Sequence, residues 1–279
     1  MDPGVAGLVL LSALLHATWN AVVKSDEDHL TSFALVNAVG GVVGLLAISL
    51  VPRPAVAAWP CLGVSIAVHN AYYFCLLRSY AAGDLSHVYP IARGLGPLLV
   101  AAASGAVVGE HLGTLDTAGV VLVSAGIMSL ALTGGFPRGA EWRAPAYATV
   151  TGLTIATYTL LDGLGARRSG EPLGYVVWLN LLEGPWVLLV AIGRRGRGIL
   201  PYLGRCWWRG AAGGVIATVS YGIAVWALTM GAMARVAALR ETSALFGALI
   251  GAVLLREPFG ARRVAAAAVV VTGLLLMNY

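Results

Sequence analysis

The sequence predicts an all-α polytopic membrane protein with ten transmembrane helices arranged as two inverted five-helix repeats. Three observations lead to this prediction. Of the 279 residues, 58% are apolar and 11% are charged, and the mean hydropathy is +0.82, whereas a soluble domain carries about 25% charged residues. Apolar segments of spanning length fill nearly the whole chain. The two halves of the chain also share a pattern of charged and small residues.

A spanning helix needs about 20 predominantly apolar residues, and ten segments meet this requirement. The first has no basic leader and no small-residue cleavage site, so we expect a retained helix. The segments leave no stretch long enough for a soluble domain. They lie at roughly 4–23, 30–50, 61–81, 86–108, 115–133, 144–163, 172–193, 208–232, 234–254 and 261–278.

The second half of the chain repeats the first at an offset of 147 residues. Five helices per repeat is an odd number, so the second repeat must enter the membrane upside down, as in many secondary transporters. We divide the chain into a first repeat at 1–133, a connecting loop at 134–143 and a second repeat at 144–279. The matched pairs include Arg93 with Arg240, Leu98 with Leu245, Glu110 with Glu257, Gly113 with Gly260 and Gly126 with Gly273, and elsewhere Asn37 and Gly41 match Asn180 and Gly184.

Loop charges predict an orientation, because cytoplasmic loops hold the excess of Lys and Arg. One set of alternate loops holds 11 of these residues and the other set holds four. The predicted loop at 194–209 supplies five of the 11. On this count both termini lie outside. The larger set is Lys24, Arg138, Arg143, Arg194, Arg195, Arg197, Arg205, Arg209, Arg256, Arg262 and Arg263, and the smaller set is Arg53, Arg167, Arg168 and Arg235.

Two local features predict how the helices pack. Gly40, Gly41 and Gly44 give the second segment a small face, which lets another backbone approach closely in lipid. In the fourth segment, Pro97 removes a backbone donor and is expected to kink the helix near Arg93.

Motifs at several positions resemble the drug/metabolite transporter superfamily, specifically its EamA-like members. They are LLHATWN in the first segment, YPIARGLGPLLVA in the fourth, and the Gly109-Glu110 ending with its partner at 256–259. The resemblance covers the whole chain. It implies a ten-helix carrier of small metabolites, often an exporter, with both termini in the cytoplasm, which is opposite to the orientation that the loop charges predict.

A charge at the bilayer centre costs about 2.5–3.5 kcal/mol on insertion scales, so charges inside apolar segments are functional candidates, and two arginines are the leading pair. Arg93 and Arg240 occupy equivalent positions of the two repeats. If their helices line the repeat interface, both guanidinium groups can hold a carboxylate, phosphate or phosphonate. Alternatively, each arginine snorkels to an interface or pairs with a structural acid. Glu241 adjoins Arg240 but points about 100° away along a helix, so it is not the obvious partner of Arg240.

Polar and aromatic side chains share faces on several other segments. Helical spacing puts His16, Trp19 and Asn20 on one face, and further groups follow in the third, sixth, seventh and eighth segments. Such a set can line a small-molecule site, or it can form the hydrogen bonds that hold a membrane bundle together. The predicted substrate-binding residues are Arg93, Arg240, His16, Trp19, Asn20, His69, Tyr72, Tyr73, Tyr158, Glu183 and Tyr221.

The remaining acidic residues differ in how deeply they lie within their segments, so we expect different roles for them. Glu183 lies deep within its segment and is a candidate proton site or amine partner, and His16 is a second candidate for the coupling proton. Asp162 lies near a predicted helix end, so we expect it to be solvated. Glu110 and Glu257 lie where helices reach the interface, and we expect them to form caps or salt bridges.

The sequence therefore predicts a secondary transporter of a small anionic or zwitterionic solute, such as an amino acid, that works by alternating access. A flippase for a phosphate-bearing lipid or lipid-linked sugar is the alternative. An intramembrane enzyme using His16, His69 or Asp162 is less favoured, because the chain has no H-E-x-x-H or G-x-S-x-G motif.

The remaining composition excludes other classes of protein. Cys61, Cys75 and Cys206 are scattered and odd in number, so we predict no disulfide framework, metal site or cofactor. The net charge of +5 comes mostly from arginines in short loops beside lipid headgroups, and not from a nucleic-acid surface. We expect a multi-pass protein of the inner cell membrane, monomeric or homodimeric, whose partners are the lipid bilayer and a small molecule.

Overall fold

The computed structural model describes residues 1–26, 28–82, 85–131, 142–254 and 260–277, with side chains at all of these except 77, 79–82, 85–88 and 252–254. Within these residues the chain is helical and contains no strand, so the all-α prediction is confirmed. Two 3-10 helices lie at Val56–Ala58 and Gly196–Gly198. The α-helices are α1 (Pro3–Lys24), α2 (His29–Ala47), α3 (Trp59–Ala82), α4 (Leu85–Val108), α5 (Thr114–Ser129), α6 (Arg143–Arg168), α7 (Pro172–Arg195), α8 (Ile199–Met230), α9 (Met233–Arg240), α10 (Ser243–Leu254) and α11 (Ala261–Leu276).

Nine of the ten predicted segments each coincide with one α-helix. The exception is the ninth segment, 234–254, which forms α9 and α10 on either side of a turn at Glu241 and Thr242. α4 runs without interruption through Pro90 and Pro97, so the helix does not break there, and the expected kink at Pro97 stays a prediction. Most of the predicted connecting loop, together with Arg138, Arg256 and Glu257, lies outside the described residues.

The predicted loop at 194–209 is largely helical, which corrects the sequence-based interpretation. After α7, Gly196 adopts a φ of +53°, which favours glycine because it has no Cβ. One 3-10 turn follows, and α8 then begins nine residues before its predicted start and extends over 32 residues. Of the arginines of this stretch, Arg194 and Arg195 end α7, Arg197 lies in the 3-10 turn, and Arg205 and Arg209 lie in the first third of α8.

Several of these helices have the length and composition of membrane spans. Among the described residues, four stretches are long and apolar enough to cross a bilayer: Pro3–Lys24, His29–Ala47, Tyr89–Val108 and the continuous run Pro172–Met230. Outward-facing residues such as Val42, Leu46 and Leu189 are exposed, as expected for helices that face lipid tails instead of water. The chain is an integral membrane protein, and its count of ten spans stays a prediction.

The start of α2 is fixed by a polar contact outside the spanning segments. Asp28 caps the helix by accepting the backbone N–H of Thr31 at 3.2 Å, and it forms an ion pair with Arg195 at 2.9 Å. Burial raises the pKa of the Asp28 carboxyl, but the hydrogen bonds from Thr31 and the contact with Arg195 outweigh this and lower it. The cap therefore stabilises the fold above the ordinary carboxyl pKa, and its contribution is lost as the pH falls through the lowered value.

Small residues set the closest helix crossings. α2 packs on α7, where a Cβ on Gly184 would lie 2.7 Å from the carbonyl oxygen of Asn37, and a Cβ on Gly41 would lie 3.6 Å from that of Asn180. The predicted small face of the second helix is used in this crossing. An added Cβ at Gly184 would separate the two backbones, whereas one at Gly41 would make an ordinary contact.

A similar crossing joins α5 to α11. A Cβ on Gly273 would lie 2.7 Å from the carbonyl oxygen of Gly119, and a Cβ on Gly126 would lie 3.1 Å from that of Ala266. In this pair, as in the α2–α7 pair, each helix brings a glycine against a backbone carbonyl of the other.

The largest buried apolar cluster lies around the first half of α1. It joins α1 to α4, α5, α8, α9 and α11, and its fully buried members include Val9, Val100, Val123, Met233 and Val270. Close packing of this kind leaves little space between the helices. The bundle is therefore closed around the end where α1 begins.

We expect Gly184→Ala to destabilise the protein and Gly193→Ala to leave it unchanged or slightly more stable. Both glycines lie on α7, but an added Cβ meets the α2 backbone at Gly184 and nothing within 4 Å at Gly193. Overpacking costs about 1–3 kcal/mol, whereas replacing an unconstrained glycine gains roughly 0.4–1 kcal/mol. Thermal unfolding of both variants in detergent measures the difference. A melting temperature of Gly184→Ala equal to that of Gly193→Ala would contradict the close crossing.

Candidate functional site

An internal cavity lies among the middle portions of the helices. Its volume is about 100 Å³, which exceeds the roughly 10–15 Å³ that one water needs on this measure. Nine of the eleven predicted site residues line it: His16, Trp19, His69, Tyr72, Tyr73, Tyr158, Glu183, Tyr221 and Arg240. The structure therefore gathers residues from α1, α3, α6, α7, α8 and α9 around one space.

Other lining residues were not predicted as site residues. They include Phe33, Asn37 and Gly40 on α2, Asn180 and Gly184 on α7, and Ala217 and Thr218 on α8. A signal for two of them was present, because Asn37 and Asn180 are matched polar residues inside apolar segments. Asn20 was predicted and does not line the cavity. Its amide nitrogen donates to the carbonyl of His16 on its own helix at 2.8 Å.

Aromatic rings form much of the cavity wall. The His69 imidazole stacks on Tyr158 with centroids 4.1 Å apart, and Tyr72 meets the same tyrosine edge-on at 5.7 Å. On the opposite flank, Phe33 meets Tyr73 at 4.9 Å. Stacked and edge-to-face rings hold one another in place, so the wall is preorganised.

The guanidinium of Arg240 lies at this cavity and forms no ion pair with an acid of the described residues, although the charge of Glu241 is close enough to act on it. It sits over the ring of Tyr221, 4.9 Å from the centroid, and its buried Nε has no hydrogen-bond partner within the described part of the chain. The same residue lines a second, smaller cavity of about 10 Å³, together with Gly96, Pro97 and Glu241. Arg240 therefore lies between the two spaces.

Arg93 is placed differently, although it was predicted as the equivalent of Arg240. Its Nε lies 2.7 Å from a carboxylate oxygen of Glu241, its second terminal nitrogen donates to the Ser243 hydroxyl at 2.8 Å, and its side chain is almost fully buried. It does not line the larger cavity. The alternative interpretation of a structural acid partner fits this geometry, with Glu241 as the acid.

The turn between α9 and α10 explains how Glu241 reaches Arg93. The backbone N–H of Glu241 still bonds to the α9 carbonyls of Ala237 and Ala238, and Thr242 bonds to Leu239 through both its N–H and its hydroxyl. The helix then restarts at Ser243. Broken helices of this kind are tolerated in membranes where they face protein or a cavity.

The carboxyl of Glu183 lies at the cavity and is mostly buried. The Tyr73 hydroxyl contacts it closely and also lies 3.1 Å from the side-chain oxygen of Asn37. The Asn37 amide nitrogen donates to the Phe33 carbonyl at 2.9 Å, which fixes the amide orientation. Glu183 is therefore held by α2 and α3 against the cavity.

Asp162 is fully buried, and the expectation that it is solvated was wrong. α6 extends past it to Arg168, so the residue lies inside the helix and away from its end. Its two carboxylate oxygens accept the hydroxyls of Tyr175 and Tyr221. Because these tyrosines are 13 and 59 residues away along the chain, no local pattern predicted this burial.

Polar contacts also close the end of the bundle near the smaller cavity. Glu110 forms an ion pair with Arg167 at 2.6 Å and accepts the backbone N–H of Met233 at 2.8 Å. The salt bridge expected for Glu110 is therefore present, and it joins the end of α4 to α6 and α9.

We expect Glu241→Gln to destabilise the protein far more than Asp28→Asn. Removing one partner of a buried pair leaves an unpaired charge and costs about 3–5 kcal/mol, whereas the exposed Asp28–Arg195 pair contributes about 1 kcal/mol or less. Melting temperatures in detergent give the comparison. The double variant Arg93→Gln with Glu241→Gln should recover much of the stability lost in Glu241→Gln. Equal losses of melting temperature in Glu241→Gln and Asp28→Asn would show that the Arg93–Glu241 pair is not buried as described.

The chain is similar to known proteins in sequence and in fold. The sequence profile of the EamA-like transporter family matches residues 142–279. No curated protein matched the chain. A solved crystal structure, described only as that of a protein, has a TM-score of 0.75 at 20% identity, over 98% of this chain and 94% of the other, and this likeness concerns the fold alone. The chain belongs to the EamA-like transporter family, part of the drug/metabolite transporter superfamily, and is a multi-pass membrane transporter.

Proposed function

We propose that the protein is a secondary carrier of a small zwitterionic solute, such as an amino acid, that works by alternating access. One observation carries the proposal: a single cavity places the carboxyl of Glu183 and the guanidinium of Arg240, which has no ion-pair partner among the described residues, amid aromatic rings. Small-molecule sites combine an apolar wall with a few converging polar groups in this way.

Arg240 is the proposed contact for the anionic end of the solute. Its guanidinium can bind a carboxylate or phosphonate through two parallel hydrogen bonds. The Nε that has no partner among the described residues supports this role. Arg93, which Glu241 neutralises, is proposed to support the site indirectly by holding the turn that ends α9 beside Arg240.

Glu183 is the proposed contact for the ammonium end, and it remains a candidate proton site. The single hydrogen of the Tyr73 hydroxyl faces two acceptors, the Asn37 side-chain oxygen and the Glu183 carboxyl. Both contacts are satisfied together when Glu183 is protonated and donates to Tyr73, while Tyr73 donates to Asn37. An ionised Glu183 would instead take the Tyr73 hydrogen. His16, the other predicted coupling group, lines the same cavity.

Reciprocal contacts support the proposed division into inverted repeats at 1–133 and 144–279. Gly184 meets the carbonyl of Asn37, and its counterpart Gly41 meets that of Asn180. The α5–α11 crossing has the same relation, since Gly273 meets Gly119 while Gly126 meets Ala266, and these residues match at the offset of 147. In each crossing, a contact from the first repeat to the second has a counterpart from the second to the first at the matched residues. A twofold axis that relates the two repeats produces such paired contacts.

The finer parts of the proposal follow from the resemblance. We propose a location in the inner cell membrane and export as the direction of transport. The flippase alternative requires the phosphate of a lipid to replace the carboxylate at Arg240, and both ligands share the same anion chemistry. A test of the proposal therefore needs both soluble zwitterions and a phosphate-bearing lipid.

We expect amino acids or 2-aminoethylphosphonate to raise the melting temperature of the purified protein, and Arg240→Gln and Glu183→Gln each to abolish the shift. Losing one partner of a desolvated charge contact costs about 2 kcal/mol or more, a roughly 30-fold loss of affinity. Arg205→Gln is the matched control, because Arg205 is an exposed cation on α8 outside the cavity. Ligands that stabilise the protein are then tested for counterflow in proteoliposomes.

Two outcomes would contradict the proposal. Unchanged binding and counterflow in both Arg240→Gln and Glu183→Gln would remove the site. Translocation of a fluorescent phosphatidic acid in the same vesicles, without counterflow of any zwitterion, would replace the carrier by the flippase.

A further inference from the structure

A chain of three polar side chains leads from the cavity wall into the buried layer behind it. His69 lines the cavity, and its Nε2 lies 3.3 Å from the Tyr221 hydroxyl. That hydroxyl also contacts one carboxylate oxygen of Asp162, which is fully buried and absent from the cavity wall. The chain crosses from α3 to α8 to α6, and it uses neither of the groups already considered for proton coupling.

The positions of the hydrogens in this chain are open to change. The Tyr221 hydroxyl carries one hydrogen and faces two groups, the imidazole nitrogen and the carboxylate. If Tyr221 donates to Asp162, the His69 Nε2 must carry a hydrogen and donate to Tyr221. If Tyr221 donates to His69, then Asp162 must carry a hydrogen and donate to Tyr221. In both arrangements the His69 Nε2, the Tyr221 oxygen and the Asp162 carboxylate oxygen are all hydrogen-bonded.

The other nitrogen of His69, Nδ1, has a hydrogen-bond partner in either charge state of the imidazole. Ser65 presents to Nδ1 both its carbonyl oxygen, at 3.0 Å, and its hydroxyl, at 3.2 Å. The carbonyl accepts a hydrogen when Nδ1 is protonated, and the hydroxyl donates one when Nδ1 is not. A neutral imidazole and an imidazolium are therefore both fully hydrogen-bonded, and this removes the usual penalty for an unpaired buried group.

We propose that His69, Tyr221 and Asp162 form a proton-binding relay between the cavity and the buried layer, which would couple protons to the carrier proposed above. A proton from the cavity binds His69. The Nε2–H bond then breaks as that hydrogen joins the Tyr221 oxygen, and the original Tyr221 hydrogen moves to Asp162. The transfer leaves His69 neutral and Asp162 protonated, with no other reactant needed.

Contacts around the relay hold its members in position. Stacking on Tyr158 fixes the imidazole plane, and Tyr175 donates to the second Asp162 oxygen at 2.8 Å. The titratable and charged side chains that face the relay from neighbouring helices are His16, Cys61, Tyr72, Tyr73, Arg93, Tyr158, Tyr175, Glu183 and Arg240.

Arg240 connects the relay to the solute. Its positive charge lies over the ring of Tyr221, the middle member of the relay. A solute carboxylate bound to Arg240 would cancel that charge and favour proton binding. By linkage, a proton on the relay would favour the solute by the same factor. The relay thereby predicts that proton and solute bind together.

The decisive experiment follows the relay in purified protein without any solute. Nuclear magnetic resonance of protein labelled with ¹⁵N-histidine reports His69, whose signal is assigned by its loss in His69→Gln. Infrared difference spectra report the Asp162 carboxyl, assigned by its loss in Asp162→Asn. In the wild type we expect both signals to change jointly, with the same midpoint, since the macroscopic pKa values of coupled groups belong to the pair and not to either residue.

Two tyrosine variants separate the relay from simple packing. Tyr221→Phe should give the His69 and Asp162 signals separate midpoints, because the two groups would no longer share a proton. Tyr175→Phe removes a hydroxyl from the same carboxylate but not from the chain to His69, so it should keep one shared midpoint. A joint step that persists in Tyr221→Phe would overturn the relay. So would an Asp162 carboxyl whose infrared signal never changes with pH, because the acid would then serve only to hold the helices together.

These outcomes are independent of the solute. If His69 and Asp162 titrate jointly but no zwitterion shows counterflow, the carrier proposal is contradicted and the relay is still supported. Solute binding that depends on Arg240, combined with separate titrations of His69 and Asp162 in the wild type, leaves the carrier standing and removes the relay.

Discussion

The structure depends on one constraint, which is that a charge inside a membrane bundle must be paired, hydrogen-bonded or aimed at a cavity. Arg93 is paired with Glu241, and Asp162 accepts two tyrosine hydroxyls. Glu183 contacts Tyr73. Arg240 alone among these four groups has only an aromatic ring as its described contact, and it faces the cavity. The arrangement of compensated groups thus isolates one cation where a ligand can reach it.

The break between α9 and α10 converts two matched arginines into residues with different roles. In α4 the helix continues through Arg93, whereas in the second half it stops directly after Arg240. The turn frees Glu241 to reach across to α4. A helix C-terminus also favours a nearby cation through its unpaired carbonyls, which suits the position of Arg240. The local asymmetry of the fold and the asymmetry of charge therefore have the same origin.

Small residues and polar contacts hold the bundle by different means. The α2–α7 and α5–α11 crossings bring backbones together at Gly41, Gly184, Gly119 and Gly273. Glycine is needed there because an added Cβ at Gly184, Gly119 or Gly273 would collide with the partner helix, as with the Met277 side chain at Gly119. The Glu110–Arg167 contact and the apolar cluster around α1 instead close the end of the bundle near the smaller cavity. The glycine crossings therefore depend on backbone fit, whereas the closed end depends on charge and apolar burial.

The sequence by itself determined the helical membrane fold, the family and most of the cavity wall, because hydropathy and helical spacing are local properties that survive folding. His16 and Trp19, or Tyr72 and Tyr73, could be assigned to helix faces without knowledge of their neighbours. Only the tertiary structure decided which arginine is neutralised, where the ninth segment breaks and whether Asp162 meets water. Those outcomes depend on partners far along the chain, such as Ser243 for Arg93, which is 150 residues away. The free energy of a buried charge is set by the groups that surround it in space, and a linear pattern does not contain that information.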